Sequence, residues 1–256
     1  MNLKAQLLAT VIGLSAAFTS SAATWSNTEL QFQHGELKNA FTDTDHTTNI
    51  VTFQHASGWE YGSNFFFFDY ISTQGTDELY GELYSTFSGS SILGAEFGGP
   101  IRDVGFVMGL NMAADVDELK YLPGIQIDWN VEGFAFLSTL VTAYIDDGNA
   151  TIFGIEDDNS WMIDIAWKYP FAIGDASFSI EGHVEYVAER NFTADFGTGT
   201  QEAWILAQPQ IRWDAGKTLF NTENKLHLGL ELQYWKNKLG TQTDEKAVQL
   251  LAVWVF

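Results

Sequence analysis

Two glutamates four residues apart, Glu181 and Glu185, and five histidines (His34, His46, His55, His183 and His227) are the side chains best suited to moving protons or holding a metal. Paired carboxylates do acid–base work when their surroundings push their pKa values apart. Histidines hold metals when they recur at ligand spacing, as in HExxH on a helix. Here the histidines fall on separate segments, and neither a GxSxG elbow, a Walker loop nor an HExxH occurs. Nucleophilic, phosphate and zinc chemistry therefore each lack a motif, and no cofactor is implied. The absence of cysteine removes thiolate ligands and disulfides as well. Asp146-Asp147 and Glu156-Asp157-Asp158 carry the ligand type for calcium. A solvated acidic loop is the simpler reading.

The aromatic residues point to binding rather than catalysis. Asn64–Tyr70 reads NFFFFDY. In a strand, successive side chains alternate between faces. Phe66, Phe68 and Tyr70 then share one face, and Phe65, Phe67 and Asp69 share the other. Two rings beside a carboxylate can stack a flat molecule and take its hydroxyls. Filling space with the same rings is the competing reading.

Such a strand needs a setting, and composition limits it. The chain has 256 residues, 12 basic against 33 acidic, and a net charge of −21. Nucleic acid is excluded as a partner, because its phosphates need Lys and Arg to neutralise them. Hydrophobic residues make up 46% and mean hydropathy lies near zero, so apolar and polar residues are finely interspersed. Residues 1–23 have one lysine, an apolar run from Leu7 to Phe18 and small residues up to Ala23. That is the layout of a secretory signal peptide, with the exported domain at 24–256. The alternative for this segment is a buried N-terminal helix.

Beyond it, no segment offers the ~20 continuous apolar residues of a membrane helix. Alternation with period two recurs instead. In Lys225–Lys236, Leu226, Leu228, Leu230, Leu232 and Tyr234 oppose His227, Gly229, Glu231 and Gln233. The pattern predicts about twelve strands of roughly 10–13 residues, the length of tilted membrane strands. They fall near 25–36, 46–57, 59–71, 78–88, 101–112, 119–131, 134–145, 159–171, 176–188, 202–214, 225–236 and 245–256. Tight turns are expected at Ser57-Gly58, Glu132-Gly133 and Ala172–Asp175, and long acidic loops at 146–159 and 189–201. Long loops at one end and short turns at the other match an all-β, antiparallel transmembrane barrel of the outer membrane. The last strand ends on Phe256 with Val248, Leu250, Ala252 and Trp254 on its apolar face. An even-stranded barrel closes by pairing such a strand with the first and leaves no edge. A soluble secreted sandwich is the alternative, with shorter strands.

Strand parity places the candidate binding residues on the lumen side. The rings are Phe65, Phe67, Tyr80, Tyr84 and Trp204. The hydrogen-bonding set is Asp69, Glu82, Glu181, Glu185, Gln208, Gln210, Arg212 and Glu231.

Local wording adds a resemblance. Tyr80–Ser88 (YGELYSTFS) followed by Gly98–Asp103 resembles the fourth and fifth strand region of the nucleoside-specific channel family, Tsx, and its OmpK-like relatives. Leu206–Lys217 (LAQPQIRWDAGK), Leu230–Gly240 (LELQYWKNKLG) and the terminal Trp254-Val255-Phe256 resemble its later strands. The resemblance implies a monomeric twelve-stranded barrel that passes nucleosides, and for some relatives a role as phage receptor. It also implies that the terminal Phe256 is read by the outer-membrane assembly machinery. The scarcity of basic residues disfavours phosphorylated solutes. Outer-membrane lipid and lipopolysaccharide are the expected surroundings, the latter bridged to acidic loops through divalent ions. Lipid-facing phospholipase chemistry finds no support: His183 and His227 have inward parity, and His34, on the apolar face, has no serine partner in view. Two functions remain, a selective channel or a surface structural and receptor barrel with a plugged lumen.

Overall fold

The computed structural model describes residues 23–116, 118–147 and 155–256. The expected signal peptide lies outside these, except for Ala23, which opens the first strand. The strands are β1 (Ala23–Lys38), β2 (Asp45–Trp59), β3 (Gly62–Thr73), β4 (Thr76–Ser88), β5 (Ile101–Ala113), β6 (Glu118–Trp129), β7 (Phe136–Asp146), β8 (Glu156–Asp157), β9 (Ser160–Ile173), β10 (Ala176–Val187), β11 (Arg190–Ala194), β12 (Gly197–Gln201), β13 (Trp204–Ala207), β14 (Gln210–Asp214), β15 (Leu226–Lys236) and β16 (Glu245–Val255).

Thirteen of them form one antiparallel sheet in which each wall strand has a partner on both sides. β1 pairs with β2 and with β16, from Glu29 opposite Val255 to Gly35 opposite Gln249. β9 pairs with both β7 and β10, so the sheet closes on itself. β13 and β14 occupy a single wall position between β10 and β15, which makes a twelve-stranded barrel. Closure satisfies every ladder, the condition for spanning hydrocarbon. Outward positions expose apolar side chains: Phe53, Ile125, Leu230, Leu232 and Leu250 are each more than a third exposed. Inward neighbours such as Gln33, Glu231 and Gln249 are buried. Apolar outside and polar inside is the reverse of a soluble protein. The chain is a transmembrane barrel of the outer-membrane type.

Three expectations are corrected in detail. The turn expected at Ser57-Gly58 lies at Glu60-Tyr61, because the ladder continues to Trp59 opposite Gly62. The strand expected at 202–214 is split: Pro209 has no N–H to donate, so the ladder breaks between β13 and β14. Its register is unchanged, with Leu206 opposite Glu185 and Gln210 opposite Glu181. Gly182 sits across the break, where a Cβ would collide with the Gln208 carbonyl oxygen. Residues 148–154 of the first acidic connector lie outside the described residues; in their described parts the two connectors are not plain solvated loops. β8, β11 and β12 form a small separate sheet at the end carrying these longest connectors, here called the outer end. Asp146 and Asp157 are buried beneath it, with side chains 5% and 4% exposed.

Candidate functional site

Opposite partners in an antiparallel ladder point to the same side of the sheet, so registers fix which residues face inward. Phe65, Phe67 and Asp69 lie opposite Tyr84, Glu82 and Tyr80. Glu185 lies opposite Asp164 and Leu206, and Glu181 opposite Lys168 and Gln210. Arg212 lies opposite Gly229, Glu231 opposite Gln210, and Trp204 opposite Val187. Gln208 follows the same parity and bonds His183 from within. All thirteen candidates therefore project into the barrel.

The structure divides them into two environments. Phe65, Phe67, Asp69, Tyr80, Glu82 and Gln208 are only partly buried. Solvent inside the barrel reaches them. Tyr84, Glu181, Glu185, Trp204, Gln210, Arg212 and Glu231 are buried in side-chain networks. Phe67 packs near Phe65 and Tyr80, with ring centroids 6.1 and 6.0 Å apart. Asp69 accepts a hydrogen bond from Thr52 at 2.6 Å. Glu82 accepts from the Tyr80 and Tyr84 hydroxyls at 2.5 and 2.8 Å. Rings and carboxylates alternate along this wall.

The wall made by β14, β15, β16 and β1 is an amide and carboxylate lattice. Gln210 donates to Glu231 at 2.5 Å and to Gln31 at 3.3 Å, and Gln249 donates to Glu231 at 2.8 Å. Arg212 pairs with Glu29 at 2.9 Å and with Glu181 at 2.6 Å, and Lys168 meets Glu181 at 2.7 Å. His183 bridges Asp164 at 2.7 Å and Gln208 at 2.9 Å. Its side chain remains 31% exposed, so solvent reaches this bridge too. The charges of Glu82, His183, Asp164 and Glu185 lie close enough to act on one another across the lumen.

The interior also carries an apolar cluster, which runs from Tyr84 and Val107 in mid-barrel through Leu122 to Tyr144, Met162, Val187 and Trp204 near the outer end. Val107, Leu122, Met162 and Val187 are almost fully buried in it. The small outer sheet docks on this patch through ions. Lys120 Nζ contacts Glu118, Asp146 and Asp157 at 2.9, 3.1 and 2.8 Å. Arg190 Nε meets Asp157 at 3.0 Å, and its guanidinium lies 4.7 Å from the Trp204 ring and 5.1 Å from that of Tyr144. Tyr144 and Trp204 sit three wall positions apart, yet their ring centroids are 6.2 Å apart. The two rings therefore cover the wall of β9 and β10 from within at this level.

Sequence reading missed several members of these networks. Asp164 and Lys168 share the inward parity of their strand and were open to the same argument. Asp157 and Arg190 lie in connectors with no periodicity; Asp157 stands out only as part of an acidic cluster, and no sequence signal marks Arg190 or their pairing. On the outer face, His34 contacts Asn49 at 2.8 Å, and His55 contacts Thr28 at 2.8 Å.

No family model and no curated protein matches the sequence. Among solved structures the chain is similar to the KdgM porin, at 7% identity and a TM-score of 0.48, covering 89% of this chain and 99% of that one. It is similar to the COG4313 outer membrane channel from Pseudomonas putida F1, at 10% identity and a TM-score of 0.48, with 93% and 98% covered. The translocator domain of the autotransporter NalP from Neisseria meningitidis aligns over 99% of this chain and 96% of its own, at 13% identity and a TM-score of 0.43.

Proposed function

We propose that this barrel is a passive, selective channel for nucleosides or similar small ring-bearing solutes. The observation that carries the reading is the solvent-reached wall of Phe65, Phe67 and Tyr80 interleaved with Asp69 and Glu82. Rings offer stacking surface for a base, and carboxylates accept from ribose hydroxyls. Gln208 and the His183–Asp164 pair extend the hydrogen-bonding set on β9, β10 and the segment after β13. Each contact is modest, as a conducting site requires, since a solute held tightly would not leave. The resemblance to the nucleoside-specific family supports this choice of solute. In this reading the barrel acts as a monomer among outer-membrane lipid and lipopolysaccharide, with Phe256 serving assembly. Conductance of the purified protein in planar bilayers, titrated with adenosine or thymidine, tests it. Concentration-dependent block supports the reading, and an open pore indifferent to both removes nucleoside selectivity.

The second reading, a surface structural or receptor barrel without transport, is favoured by the apolar patch and the ion-anchored sheet at the outer end. Absence of any conductance would favour it.

A further inference from the structure

The inward carboxylates fall into two groups by the charge of what they touch. Glu29 and Glu181 meet Arg212, Glu181 also meets Lys168, and Asp164 meets His183. Asp69, Glu82, Glu185 and Glu231 meet only neutral donors. These are the Thr52 hydroxyl, the Tyr80 and Tyr84 hydroxyls, the Trp204 indole N–H at 3.1 Å, and the Gln210 and Gln249 amides. Among the described residues no Lys or Arg forms an ion pair with any of the four. They are close enough for their charges to interact: Asp69 with Glu82 and Glu231, Glu82 with Glu185. His183 lies close enough to act on all four, but Asp164 pairs with it directly. Carboxylates that outnumber their counter-charges in a confined lumen are costly, and rings of them select cations.

A second observation points the same way. Gln249 is wholly buried, and its Oε1 has no donor. The orientation of this amide is fixed, because its NH₂ must face the Glu231 carboxylate at 2.8 Å. An acceptor is thus left over beside the Glu231 carboxylate, so the lattice around this acid holds more acceptors than donors. The third element is aromatic. The faces of Phe67 and Tyr80 stand next to Asp69 and Glu82, and ring faces attract cations by their quadrupole.

We propose that the lumen selects small organic cations, an ammonium or similar donor-bearing positive group attached to a ring, over neutral and anionic solutes of the same shape. The positive group is balanced by Asp69 and Glu82, and the ring lies along Phe67 and Tyr80. The inference rests on the channel reading and narrows its solute class by charge.

The test uses the full barrel in planar bilayers with three probes that share a phenyl ring and differ in charge: phenethylammonium, 2-phenylethanol and phenylacetate. The expected result is block by phenethylammonium at a concentration at least tenfold lower than by the alcohol, and none by phenylacetate. The reversal potential in a potassium chloride gradient should also lie toward that of potassium. Asp69→Asn and Glu82→Gln should each reduce both effects. Should a variant fail to fold, the wild-type probe series alone decides. Equal block by ammonium and alcohol, or a reversal potential near zero or on the chloride side, overturns the inference while leaving a channel. No conductance at all overturns the channel reading along with it.

Discussion

The outer mouth and the mid-lumen are built from the same kinds of side chain and reach opposite electrostatic states. At the mouth, Glu118, Asp146 and Asp157 converge on Lys120, and Asp157 also holds Arg190, so each buried acid has a base. In the middle, Asp69 and Glu82 are held by hydroxyls alone, in partial contact with solvent. Buried charges that satisfy each other fix a structure and leave nothing for a ligand. Charges satisfied only by neutral donors keep their field directed at whatever enters. The mouth is thus a fastening for the small outer sheet, and in the proposed channel the mid-lumen is the part that would discriminate among solutes.

The largest expected effect attacks the fastening. Lys120→Met would leave three carboxylates facing one another beneath the outer sheet. Breaking a buried pair by removing one partner costs roughly 3–5 kcal/mol. Urea unfolding in detergent micelles, followed by tryptophan fluorescence, should show a loss of that order. Glu82→Gln should cost about 1 kcal/mol by the same assay, the net worth of an ordinary hydrogen bond. Equal losses would mean that the two regions do not differ as their partners imply.

Next comes the barrel's own inside–outside contrast. Leu230 faces out and is 39% exposed, while its neighbour Glu231 is buried, 3% exposed, under Gln210 and Gln249. Leu230→Arg should cost about 2–4 kcal/mol near the bilayer midplane. Glu231→Gln should cost less, because an amide keeps an acceptor for one of the two donors. Its main effect should be on block of the pore. Refolding yield into lipid vesicles measures the first, and probe block the second.

Much of this contrast is legible in the sequence, and the remainder has a physical reason for being hidden. Parity along a strand is a local property, and it places Phe67 and Glu231 correctly without knowledge of any neighbour. The turn after β2 slips by a few residues because Trp59 and Gly62 pair across it, a fact about two strands rather than one. The fastening is further out of reach. Lys120 and Asp157 are 37 positions apart, and only the docking of the small outer sheet on β6 brings them to 2.8 Å. The sorting of lumen acids into paired and unpaired groups has the same origin. It depends on which strands become neighbours, as when Arg212 reaches Glu29 across 183 positions. Asp157 reads as a solvated loop acid for this reason.

The smallest effect sharpens the comparison most, because it separates adjacent rings. Phe66 and Phe67 are consecutive, so they point to opposite faces of β3. Phe66 points outward yet is only 4% exposed, because His55 stacks on it at 5.2 Å and Phe53 and Phe68 flank it at 6.2 and 5.7 Å. Phe67 points inward, is partly exposed, and neighbours Tyr80 and the carboxylate of Glu82. Stacking of a base on one ring is worth roughly 1–3 kcal/mol by alanine substitution. Phe67→Ala should therefore weaken block by adenosine or thymidine by about tenfold, the factor that ~1.4 kcal/mol represents. Its effect on unfolding should be minor, since the ring is incompletely packed. Phe66→Ala should do the reverse: block unchanged, stability lowered by about 1 kcal/mol for each neighbouring ring left without its partner. Titrating conductance and unfolding on both variants gives four numbers with opposite expected ranks. Weakened block in Phe66→Ala alone would invert the two faces of β3. Unchanged block in both would reduce the inward rings to filling, and the mid-lumen would lose its claim to discriminate through stacking.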